Sequence, residues 1–145
     1  MTTTWIVVAE SSRARILSTH SAVEPLEEVA LLEHPEARMH EQDLTSDGAG
    51  RRFANAGTRR HGMSDAVRWK DEHAGKFARE VGQHLEHARN EHEFDRLILA
   101  APPKFLGLLR GELAPGTEAA VAHEFDKNWL HDHAKAIRRH LPEYL

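Results

Sequence analysis

The stretch Trp5-Ile6-Val7-Val8-Ala9-Glu10-Ser11-Ser12-Arg13-Ala14-Arg15-Ile16-Leu17-Ser18-Thr19 decides the fold class. Trp5 to Ala9 is an unbroken apolar run, which suits a strand of a sheet that is buried on both faces. Ser11 and Ser12 supply a turn. Ala14, Ile16 and Ser18 then alternate with Arg15, Leu17 and Thr19, so a second strand returns beside the first as a hairpin. A third extended segment spans about residues 26 to 33, with Val29, Leu31 and Leu32 as apolar members. His34-Pro35 closes it, because proline lacks a donor and disfavours helix in the residue before it. Three antiparallel strands therefore precede any helix.

From Pro35 to Met63 neither a helical nor a strand period survives, and Gly48, Gly50, Gly57 and Gly62 punctuate a polar stretch longer than ordinary connections. Beyond it, Val67, Ala74, Phe77, Ala78, Val81, Leu85 and Ala88 fall on one arc of a helical wheel. That spacing predicts one amphipathic helix over about 64–91, with Ser64 as N-cap and Asp65 in the first turn. Arg96 to Ala101 reads as a fourth strand. Pro102-Pro103 starts a helix carrying Phe105, Leu106, Leu108, Leu109 and Leu113, and Ala114-Pro115-Gly116 ends it. A short helical turn, a fifth strand near Val121 to Phe125 and a last helix from about Asp132 to His140 complete the chain. The order β-β-β-α-β-α-β-α defines a single α/β domain over residues 1–145 with a mixed sheet, interrupted by a glycine- and arginine-rich loop at about 35–63.

Composition bounds the function. At 145 residues, 40% apolar and 29% charged, the chain has material for one domain with a real core. Its lack of cysteine excludes disulfides, thiolate nucleophiles and every Cys-based metal centre. No apolar run approaches the roughly 18 residues of a membrane helix, so no membrane insertion is expected and the cytoplasm is the default compartment. Twelve histidines are the compositional oddity: protonating all of them carries the formal charge from −4 to +8.

The loop holds the residues best suited to chemistry. Arg51, Arg52, Arg59, Arg60 and His61 sit among glycines with a single aromatic, Phe53. Guanidinium forks suit phosphate and a phenyl ring can stack a base, so these six are the expected anion- or nucleic-acid-binding residues. The competing reading is a solvated loop whose arginines pair with the chain's own carboxylates. Asp43 and Asp47 stand four apart in the same loop, spaced for general-base work and equally for turn formation beside Gly48. Gly48-Ala49-Gly50 lacks the third glycine and the preceding strand of a dinucleotide fingerprint. There is no Gly-x-Ser-x-Gly elbow. His73, Glu80, His84, His87 and Glu91 share one flank of the long helix but lack a ligand from a second element, so they read as a solvated polar face. His131 and His133 likewise suggest no built site, and neither metal nor cofactor is expected. Trp5, Trp69 and Trp129 fit core or interface positions.

Glu10-Ser11-Ser12-Arg13-Ala14-Arg15-Ile16-Leu17, His34-Pro35-Glu36-Ala37-Arg38, Asp43 through Arg51, Ala101-Pro102-Pro103-Lys104-Phe105-Leu106-Gly107, and Asp126-Lys127 with His140-Leu141 occur in an order that resembles the bacterial host-attachment family nearly end to end. That family in turn resembles the middle domain of archaeal and eukaryotic peptide-chain release factors, which implies the same α/β architecture. In that domain a Gly-Gly-Gln tip lies between the third strand and the long helix. Here the interval contains only Gln42, after Glu41, and single glycines, so no catalytic residue carries over. Three functions are expected to compete. One is a non-catalytic module that contacts structured RNA or the ribosome through the cationic loop. The others are a protein-interaction module in host attachment, and a phosphate-directed enzyme using Asp43, Asp47 and His61.

Overall fold

The structure, a computed structural model, describes residues 2–35 and 59–142, the side chains of 59–65 apart. Strands β1 (Thr4–Glu10), β2 (Arg13–Thr19) and β3 (Glu27–Glu33) lead to helix α1 (Arg59–Asn90). Strand β4 (Arg96–Ala100), helices α2 (Pro103–Glu112) and α3 (Pro115–Ala120), strand β5 (Val121–Phe125) and helix α4 (Ala134–His140) follow. The five strands form one mixed sheet in the order β3-β2-β1-β4-β5. β2 pairs antiparallel with β1 and β3, whereas β4 pairs parallel with β1 and β5.

The apolar run of β1 is explained by its central place, since alternate side chains enter two separate cores. Trp5, Val7 and Ala9 face α1 and α2 with Leu97 and Leu99 of β4, against Phe77, Val81, Leu85 and Leu109 from the helices. Ile6 and Val8 face the other way with Ile98, against Ile137 of α4 and Trp129 ahead of that helix. Each such side chain, fully buried, contributes on the order of 1.5–3 kcal/mol. The crossovers β3–α1–β4 and β4–α2–α3–β5 progress in the same direction across the sheet. A single handedness therefore lays α1 and α2 side by side on one face.

The expected strands and later helices appear in order, but Pro35, expected to open a loop ahead of any helix, is itself helical. The local signal for a break at His34-Pro35 ends the strand without excluding a helical start, as proline fits the first turn of a helix. Two further corrections fall at helix ends. The long helix begins at Arg59, ahead of the expected Ser64, so Ser64 is inside the helix and Arg59, Arg60 and His61 occupy its first turn instead of a loop. The glycine punctuation at Gly62 misled because propensity is a weak prior in a helix this long. Pro115-Gly116 opens α3, with proline at its first position, where the missing N–H costs nothing. Among the described residues no helix is long and apolar enough to cross a membrane.

Two glycines of α1 separate packing from propensity. A Cβ on Gly82 would stand 2.7 Å from the carbonyl oxygen of Glu112, so α1 crosses the end of α2 at a distance only glycine permits. A Cβ on Gly75 meets nothing within 4 Å. Gly82→Ala is therefore expected to destabilise by about 1–3 kcal/mol through overpacking, and Gly75→Ala to stabilise by up to about 1 kcal/mol through helix propensity. Thermal melting of the two variants checks this, and a shift of the same sign in both would refute the close approach.

Candidate functional site

All three parallel strands end at one edge of the sheet, and β3, antiparallel to β2, ends there too. After β1 the chain turns towards β2, and after β4 it leaves in the opposite direction towards β5. Ligands of open α/β sheets bind outside the carboxyl ends of the strands. A cavity of about 460 Å³ opens there. Val67 and Ala74 of α1 with Phe105 and Leu108 of α2 form its apolar wall. Glu10 and Ser11 from the end of β1, Lys70 and Asp71 of α1, Lys104 of α2 and Asn128 after β5 supply its polar groups. Lys104 Nζ donates to Asp71 Oδ1 at 2.6 Å, tying the two helices together across the mouth. Glu10 is half-buried and has no side-chain partner among the described residues.

Beside the cleft, the alternation of β3 puts His34 on the same face as Ala30 and Leu32, beneath α1. There it meets His73, with Nε2 of His34 2.8 Å from Nδ1 of His73, and both side chains are buried. Glu80 Oε1 lies 3.5 Å from the other nitrogen of His34. That carboxylate favours the proton on Nδ1 of His34, which leaves Nε2 to accept from the Nδ1–H of His73. The Trp69 indole packs against the His73 ring at a tilt of 32°, with centroids 3.7 Å apart. The expectation of a solvated flank is thus wrong for His73. The element that flank lacked is the end of β3, and the pair clamps it to α1 at the start of segment 36–58. Among the described residues no group of three or more His, Asp or Glu is arranged to hold a metal ion. His84 is half-exposed, with its ring near Trp5 at 6.4 Å, while Trp5 and Trp129 are core residues.

Of the expected binding residues, Arg51, Arg52 and Phe53, with Asp43 and Asp47, lie outside the described residues. Arg59, Arg60 and His61 open α1. The core residues of that helix begin at Ala74, so Arg59 stands about 20 Å beyond the sheet edge at 1.5 Å per residue. Both ends of segment 36–58 therefore belong to the side of the molecule that carries the cleft. Sequence reasoning missed the cleft, although it had singled out Glu10-Ser11 and Ala101 to Gly107. The available signal was that both follow parallel strands.

These features define a single mixed-sheet α/β domain with a ligand-sized crevice at the carboxyl edge of its parallel strands. The chain belongs to the family described as "protein required for attachment to host cells", which matches residues 5–141. An uncharacterised protein of Rickettsia prowazekii is 35% identical to it over 72 residues, 48% of each chain, so the match spans about half of that relative. Among solved structures, an archaeal translation termination factor aligns with a TM-score of 0.45 at 16% identity. That alignment covers 97% of this chain and 35% of the other.

Proposed function

We propose that the chain is a non-catalytic RNA-binding module, associated with structured RNA such as that of the ribosome, whose working surface is the carboxyl edge of the sheet. The observation that carries this reading is a run of positive charge in the sequence that leads into and along the first half of α1, the helix that starts on that side. Residues 50–70 hold six Arg and Lys against one Asp, in a chain whose formal charge is −4. Arg68 and Lys70 continue along α1 the charge that Arg51, Arg52, Arg59 and Arg60 begin, and Lys104 stands across the cleft. A local cationic surface on an acidic protein repels the rest of the molecule from a polyanion and so orients the encounter. Such a module acts in the cytoplasm. The attachment phenotype in the family description then arises indirectly, through expression of surface components.

Fluorescence anisotropy with a 12-nucleotide single-stranded RNA tests the reading. If about four cations neutralise phosphates of one strand, log affinity falls against log salt with a slope of about −3, at roughly 0.7 per phosphate. No binding at low salt, or binding indifferent to salt, overturns the reading and leaves the protein-interaction class.

A further inference from the structure

The cleft has a composition that phosphate binding alone does not require: an apolar wall, and an unpartnered carboxylate at the end of β1. We propose that it is a slot for one ribonucleotide of a single-stranded RNA, in which Glu10 reads the ribose 2′-hydroxyl. This inference rests on the RNA reading and deepens it.

The cavity volume of about 460 Å³ lies within the range of small-ligand sites and suits one splayed nucleotide. Phe105 and Leu108 back the slot, and Val67 adds apolar surface that is 56% exposed, unusual for a residue on the core side of an amphipathic helix. An unstacked base finds there the apolar contact that a paired base cannot reach. Lys104 stands at the mouth, where a flanking phosphate would share its ammonium group with Asp71, now 2.6 Å away.

Glu10 is the informative group. A carboxylate facing a polyanion is unfavourable unless the ligand offers it a donor. The sugar hydroxyls are the donors a nucleotide carries irrespective of base, and the 2′-hydroxyl is the one DNA lacks. A carboxylate at the end of a parallel strand is chemically suited to that bond. Glu10 would therefore accept a hydrogen bond from RNA, and with DNA would be left half-buried and unsatisfied among phosphates.

Anisotropy titrations with three oligomers of one sequence, as RNA, DNA and 2′-O-methyl RNA, test this on the intact wild-type chain. The expected result is RNA binding about tenfold tighter than DNA, the yield of one hydrogen bond to a charged acceptor, with 2′-O-methyl RNA behaving as DNA. Glu10→Ala, checked for an unchanged melting temperature, should bring RNA down to the level of DNA. Equal RNA and DNA affinities with a steep salt slope overturn the slot and leave the cationic surface standing, as does RNA preference that survives in Glu10→Ala. Failure of every oligomer to bind overturns both.

Discussion

Replacing His34 by alanine is expected to lower stability by about 2–4 kcal/mol, the sum of a stranded buried donor on His73 and a small cavity. His34 is 7% exposed, bonds His73 at 2.8 Å and lies with its ring centroid 6.1 Å from that of Phe77. Removing it strands the His73 ring against Trp69, deprives Glu80 of its imidazole and unfastens the end of β3 from α1. His84→Ala is the matched control: the same residue type on the same helix, half-exposed against Trp5, should change stability by less than about 1 kcal/mol. Urea unfolding of both variants measures the difference. A loss below about 0.5 kcal/mol in His34→Ala would contradict the clamp.

Much of the fold was legible because single strands and helices declare themselves through local periodicity. Arg13 to Thr19 alternates apart from the buried pair Ile16 and Leu17 and is a strand over those residues, and the run from Trp5 reads as buried on both faces because it is central. The start of α1 was illegible for the complementary reason. Gly57, Gly62 and Ser64 are local stop signals, whereas the helix reaches back to Arg59. Sites are still less local. His34 looked like a strand terminator and His73 like a surface residue, and each reading was reasonable for its own segment. Only the crossover from β3 to α1 brings residues 39 apart in sequence to within a hydrogen bond. The same holds for the cleft, whose walls come from β1, α1, α2 and the segment after β5.

The second large effect concerns Arg51 and Arg52, expected to supply half of the charge that holds RNA. With four guanidinium groups engaged, affinity should fall about 60-fold between 0.05 and 0.2 M salt, following a slope of about −3. In the Arg51→Ala, Arg52→Ala double variant the fall should be only about sevenfold, a slope near −1.4, because two phosphates lose their partners. Melting temperature should not move, because on this reading the two guanidinium groups serve RNA and not the protein's own carboxylates. Arginines engaged with the protein's own carboxylates would give the reverse, a lowered melting temperature with RNA affinity intact. The decisive measurement is therefore the salt dependence of RNA binding by wild type and the double variant, with melting temperatures of both. A halved slope at constant stability is the predicted result, and an unaltered slope would contradict the assignment of the cationic segment to RNA.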